Sequence, residues 1–83
     1  MSYDKVTKAG NGIIIGTKQS IKAIKEDRVR EVIIASDADE RVTGKILDIA
    51  REKAIPITTV DSMKKLGKAC GIDVGAAAVA LIK

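Results

Sequence analysis

Gly12-Ile13-Ile14-Ile15-Gly16-Thr17-Lys18-Gln19-Ser20-Ile21-Lys22 spells a short strand, a sharp turn and the start of a helix. The three isoleucines are β-branched and leave no polar position, so both faces of the strand need cover. That pattern predicts a buried central strand. Gly16 ends it, and the Thr17 hydroxyl can cap a helix running to about Asp27.

The rest of the chain repeats this alternation. Ser2 to Ala9 can form a short helix, with Asp4 in its first turn and Gly10 as its stop. Val32-Ile33-Ile34-Ala35 is a second buried strand. Asp37 or Asp39 can cap a helix from about Glu40 to Lys53, whose apolar stripe is Val42, Ile46, Ile49 and Ala50. Pro56 opens a third strand, Ile57 to Val60. Ser62 caps a fourth helix that carries Met63, Leu66, Ala69 and Cys70 on one face and stops at Gly71. Ala76 to Ile82 is a last apolar strand, rich in small residues that let helices approach closely. Helices alternating with strands predict the α/β class: a three-layer α/β/α sandwich on a four-stranded mixed sheet, in one domain spanning 1–83.

Composition bounds the chemistry. The 83 residues are 46% hydrophobic yet include no Phe or Trp, and Tyr3 is the only aromatic, so Ile, Val, Leu and Ala must fill the core. No apolar run approaches the roughly 18 residues a membrane span needs. Met1-Ser2-Tyr3-Asp4-Lys5 lacks the apolar stretch of a secretory signal, and a lone Cys70 cannot form an internal disulfide. The cytoplasm is the expected location. There is no His, which removes imidazole catalysis and most zinc sites. Asp37-Ala38-Asp39-Glu40, at a strand-to-helix junction, can either bind a divalent cation or cap a helix, and capping is the favoured use. Gly10-Asn11-Gly12-Ile13-Ile14-Ile15-Gly16 has nucleotide-loop spacing, but its first two glycines precede the strand instead of following it. No enzyme, cofactor or metal is expected.

The charge is mildly basic, +4, with a pI of about 9.4. It is unevenly spread. Residues 1–30 hold seven Lys/Arg against three Asp/Glu, a net of +4; residues 31–61 hold four against seven, a net of −3; residues 62–83 hold four against one, a net of +3. Two basic ends folded onto one side would make a surface suited to nucleic acid. The junction from Gly16 to Lys22 is the richest part of it. Gly16 lets a partner come close, and the helix start presents free N–H groups and a positive dipole end to phosphate. Lys18, Lys22 and Lys25 share one helical face. Gln19 can donate to and accept from a base edge, and lysine suits guanine O6 and N7.

Three stretches together carry a family resemblance: Gly16-Thr17-Lys18-Gln19-Ser20-Ile21-Lys22, Val32-Ile33-Ile34-Ala35-Ser36-Asp37-Ala38-Asp39, and Leu66-Gly67-Lys68-Ala69-Cys70-Gly71-Ile72-Asp73-Val74-Gly75-Ala76-Ala77-Ala78-Val79-Ala80. The whole chain resembles the small kink-turn-binding ribosomal proteins of archaeal "L-seven-Ae" and eukaryotic "L-thirty-e" type, nearest their bacterial YbxF-like members. The resemblance implies binding of a kink-turn, a sharply bent RNA with a bulge and tandem sheared G·A pairs. By position it implies that Gly16 and Thr17 form the turn that meets the RNA, that Lys18 and Gln19 face the guanines, and that Lys22 contacts guanine or phosphate. It assigns Asp39 to a bulge nucleotide and Ile72-Asp73-Val74-Gly75 to the loop under flipped-out nucleotides. Irregular RNA exposes bases that regular duplexes hide, which fits an apolar loop beside a basic helix. Two departures stand out. Lys18-Gln19 replaces a frequent Asn-Glu, as in the "thirty-e" branch, and Glu40 replaces a frequent Pro. The expectation is a monomeric, non-enzymatic protein whose partner is RNA, ribosomal or riboswitch, with no membrane partner. The alternative is a protein–protein scaffold of the same fold, which the lysines beside the glycine turn disfavour.

Overall fold

Alternate residues of the last strand, Ala78–Ile82, serve two different cores. Ala78 and Ala80 join one buried cluster, while Val79 and Leu81 join another on the opposite face of the sheet. The computed structural model describes residues 3–9 and 12–83. In chain order its elements are α1 (Tyr3–Ala9), β1 (Ile13–Ile15), α2 (Thr17–Lys25), β2 (Val29–Ala35), α3 (Glu40–Glu52), β3 (Ile57–Val60), α4 (Met63–Ala69) and β4 (Ala78–Ile82). The expected helix start at Ser2, its stop at Gly10 and the first two residues of Gly10-Asn11-Gly12 lie outside the described residues.

The strands run in the order β1-β4-β2-β3. β4 is antiparallel to both of its neighbours, and β2 and β3 are parallel. α1 and α4 contribute Val6 and Leu66 to one cluster; α2 and α3 contribute Ala23, Ile24, Ile46 and Ala50 to the other. The protein is thus a three-layer α/β/α sandwich on a mixed sheet. The alanines of β4 face the α2–α3 layer, so the small residues lie under those two helices.

Several expectations need correction. β1 is an edge strand, not a central one. It has no polar side because Ile13 and Ile15 meet one helical layer and Ile14 the other. Thr17 is the first helical residue and Gly16 is the cap, without a side-chain bond to the helix. α2 ends at Lys25, because Asp27 turns to a φ of 58°. β2 begins three residues earlier than expected, at Val29, and β4 two residues later, at Ala78. In α3 the inward face is Thr43, Ile46 and Ala50, and Val42 is 44% exposed. Val42 sits in the first turn at the margin of that face, so helical phase alone did not bury it.

Tyr3, the sole aromatic, joins α1 to the turn between β3 and α4. Its hydroxyl donates to Asp61 and accepts the Ser62 N–H. One charged side chain is buried in the sheet. Glu31 of β2 is buried, and it accepts from the Thr58 hydroxyl at 2.6 Å and from the Lys5 ammonium at 2.9 Å. It thereby joins α1 to β2 and β3. Burial pushes its carboxyl upward, but the Thr58 hydroxyl and Lys5 outweigh burial and hold it below the ordinary value. A lowered folded value means that the stabilisation is complete at neutral pH and is lost as the carboxyl protonates in acid. Glu31→Gln is expected to destabilise the fold by about 1–3 kcal/mol at pH 7. Below the ordinary glutamate value of 4.5, the melting temperature of the variant is expected to fall less steeply than that of the parent. Parallel slopes in melting curves taken from pH 7 to pH 3 would remove Glu31 from the acid response.

Candidate nucleic-acid interface

Gly16 makes the corner between β1 and α2. Its φ of 100° and ψ of 150° lie in a region that is essentially glycine-only. Its N–H donates to the Ala78 carbonyl at 3.0 Å, and its carbonyl accepts from Ser20 at 3.1 Å. The buried Ser20 hydroxyl returns to the Ile14 carbonyl at 3.4 Å, so the first turn of α2 is fastened to β1. No atom lies within 4 Å of the point where a Gly16 Cβ would stand, and that side is open to a partner.

The start of α2 suits an anion. Its first turn holds no acidic residue and no side chain caps it. The N–H groups of Thr17, Lys18 and Gln19 therefore have no acceptor within the helix. Ser20, Ala23 and Ile24 face inward, which turns Lys18, Lys22 and Lys25 to solvent. Among the described residues none of these three lysines is in an ion pair. Gln19 is exposed beside them, and Thr17 is half-buried.

The apolar loop is held from behind by α4. Ser62 caps that helix by accepting from the Lys65 N–H at 3.2 Å, and Gly71, at φ 82°, turns the chain off its end. Ile72 donates to the Gly67 carbonyl at 3.0 Å and packs, half-buried, on the α1–α4 cluster. A Cβ on Gly67 would overlap the Val74 carbonyl oxygen, so the loop lies directly on the helix backbone. Gly75 lies against Met63, and Ala76 donates to the Met63 carbonyl at 3.0 Å. These anchors leave Val74 69% exposed, with Asp73 and Gly75 exposed on either side.

Asp39 caps α3: its carboxylate accepts from the Arg41 N–H at 2.9 Å, and the Arg41 guanidinium approaches to 3.0 Å. The guanidinium and backbone of Arg41 hold the Asp39 carboxyl below the usual carboxylate range. Asp37, the other capping candidate, accepts instead from the Met63 N–H at 2.9 Å and so fastens the β2–α3 turn to α4. Among the described residues no group of His, Cys, Asp and Glu side chains could hold a metal ion. Burial pushes the Cys70 thiol up, away from a reactive thiolate.

The sheet register brings these pieces to one edge, the side across which the strands terminate. Ile15 pairs with Val79, Ile34 with Ala78, and Ala35 with Val60. The ends of β1, β2 and β3 and the beginning of β4 therefore coincide. The Gly16 turn, the 36–39 turn, the 61–63 turn and the 72–77 segment all leave from that edge. Lys18, Gln19 and Lys22 rise from it along α2. The opposite edge carries a cleft lined by Asp27, Arg30, Lys53 and Lys83. Of its cations, Lys53 stands at the C-terminal end of α3, where the helix dipole favours positive charge, while Arg30 belongs to β2 and Lys83 follows β4. Sequence reasoning missed Arg41, which lies beside Asp39 with its side chain 90% exposed, and missed Asp37 and Gly67 as supports. Gly67 and Asp37 left a signal, as parts of the stretches from Leu66 to Ala80 and from Val32 to Asp39, whereas Arg41 left none.

Comparison with known proteins gives a consistent result. The sequence pattern described as "Ribosomal protein L7Ae/L30e/S12e/Gadd45 family" matches residues 1–83. A protein of Bacillus pumilus named RNA-binding protein is 60% identical over 82 residues, 99% of each chain. The RNA-binding protein YbxF of Geobacillus stearothermophilus is 58% identical over 83 residues, the whole of both chains. The solved structure of the Giardia lamblia 15.5kD RNA binding protein superposes with a TM-score of 0.92 at 24% identity, covering 98% of this chain and 70% of that one. This last likeness concerns the fold.

Gly16→Ala is expected to cost about 1–3 kcal/mol from its backbone conformation alone, because the position has open space. Gly67→Ala is expected to shift the amide resonances of Ile72 to Gly75 while those of α2 stay in place. Urea titration and two-dimensional NMR read the two effects. A Gly67→Ala spectrum unchanged in the loop would show that α4 does not seat it.

Proposed function

We propose that this chain, which belongs to the ribosomal protein L7Ae/L30e/S12e/Gadd45 family, binds RNA at the edge formed by Gly16, the start of α2 and the 72–75 loop. The RNA is a kink-turn. The observation that carries the reading is the convergence of two unlike surfaces on one sheet edge: an uncapped, acid-free helix start with exposed lysines, and an exposed apolar side chain on a braced loop. The names of the relatives from Bacillus and Geobacillus support an RNA partner.

Each part meets a different feature of bent RNA. Gly16 leaves room for a base pair to come against the backbone. Lys18 and Gln19 face the guanines of the sheared pairs, and Lys22 contacts guanine or phosphate. Val74 and Ile72 offer apolar surface to nucleotides that have left the stack, with Asp73 and Gly75 shaping the loop. Bases in irregular RNA are accessible in this way, whereas a regular A-form duplex hides them in a deep groove. Asp39 serves first as a helix cap, and its remaining acceptor capacity can meet a bulge nucleotide. The bound nucleic acid is ribosomal RNA or another structured RNA, and the protein acts by binding, as a monomer with no cofactor.

Titration of a kink-turn RNA against a straight duplex of equal length tests the reading. The kink-turn is expected to bind more tightly, with an affinity that falls as salt rises. Equal affinities would reduce the edge to a nonspecific basic surface. Lys22→Ala is expected to weaken kink-turn binding by about 1–3 kcal/mol with no change in fold. Val74→Asp is expected to weaken it while circular dichroism stays native, because the side chain is already in solvent. A partner protein captured by this same edge in place of RNA would favour a scaffold.

A further inference from the structure

We propose that Lys64 and Lys68 of α4 form a second phosphate-binding row, which holds the arm of the bent RNA that does not run along α2. The inference rests on the RNA-binding reading above and adds a second contact surface to it.

α4 turns Leu66 into the core and Gly67 under the 72–75 loop. Lys64 and Lys68, four residues apart, then stand together on the far side of the helix, and both are exposed. Among the described residues neither is in an ion pair, whereas Lys65 between them is paired with Asp61 at 3.5 Å. Like charges at this spacing disfavour the helix slightly, and a polyanion would relieve them. Lys64 is also three residues from Gly67, its neighbour on the helix surface, and the Val74 carbonyl lies over Gly67. The row therefore borders the loop that presents Val74.

Its place in the fold gives the row a distinct task. α2 and α4 start at the same sheet edge but lie in opposite layers, with Ile24 in one core and Leu66 in the other. The edge is thus flanked by one lysine row in each layer: Lys18, Lys22 and Lys25 on α2, and Lys64 and Lys68 on α4. A straight duplex laid along either layer leaves the other row unused. Two RNA arms meeting at a sharp angle over the edge reach both rows. Lysine is apt for this contact because phosphate asks only for a mobile point charge, not for a fixed fork of donors.

The test uses Lys64→Ala with Lys68→Ala in the full chain, on exposed helical positions where alanine preserves the helix. Three RNAs are compared: an intact kink-turn and two versions, each with one arm trimmed to a stub. On the intact RNA the double variant is expected to bind roughly tenfold more weakly near 0.1 M salt, with the slope of log affinity against log salt reduced by about two. Trimming one arm, and not the other, is expected to erase the difference from the parent. Arg30→Ala with Lys83→Ala removes the same charge from the opposite edge and is expected to leave the slope near that of the parent. If the parent prefers the kink-turn and the α4 variant matches it on intact RNA, this proposal fails and the binding edge stands. Equal loss on all three RNAs, or equal loss in the control pair, would overturn it as general charge attraction. A parent that does not distinguish bent from straight RNA would remove the kink-turn reading itself, and this one with it.

Discussion

The position of β4 between β1 and β2 is the constraint from which the candidate site follows. A strand running antiparallel to both neighbours places its own beginning beside their ends. Four turns that are far apart in the chain then leave from one edge, and the Gly16 to Ala78 hydrogen bond closes the corner between two of them. The same strand sets the depth of the two cores. Its alanines face the α2–α3 layer, while Val79 and Leu81 fill the space under α1 and α4. Larger residues at Ala78 or Ala80, both fully buried, would lift α2 and with it the lysines that rise from the edge.

Within the proposed site, rigidity and chemistry are assigned to different residues. The side chains offered to a partner, Lys18, Gln19, Lys22 and Val74, make no hydrogen bond among the described contacts. Their supports make many. Ser20 fastens α2 to β1, Asp37 fastens the β2–α3 turn to α4, and Ala76 returns the loop to Met63. A surface preorganised in this way loses less freedom when it binds, which matters for a loop that offers one apolar side chain at its tip.

The element sequence was legible because each element is short and locally complete. Ser62 caps α4 and Gly71 turns the chain off its end, as their types predict, and β1, β4 and the Val32–Ala35 part of β2 are uninterrupted apolar runs. The place of β1 was not legible. Ile13-Ile14-Ile15 looks like an interior strand because helices cover both its faces, and strand order is not written into a three-residue pattern. The exposure of Val42 was missed for a related reason: periodicity gives the phase of a helix but not where its inward face stops. In the candidate site, the residues that project outward could be singled out by charge and by the glycine before them. The braces could not. Asp37 and Gly67 act through partners 26 and 7 residues away, at Met63 and Val74, and only the folded chain brings those together.

The two outer strands of the sheet also bear on how the chain keeps to itself. A protein with strands as apolar as Ile13-Ile14-Ile15 and Val32-Ile33-Ile34-Ala35 risks joining edge to edge with its own copies. Here one border strand is only three residues long, and the other starts just after Pro56 and is followed by Asp61. Next to that second border a carboxylate, Glu31, is sealed inside with its partners. Short borders, a proline beside one of them and an inward charge are the features that make an open sheet a poor template for aggregation. The long hydrophobic stretches are thus spent on the interior, and little bare backbone is left for fibril growth.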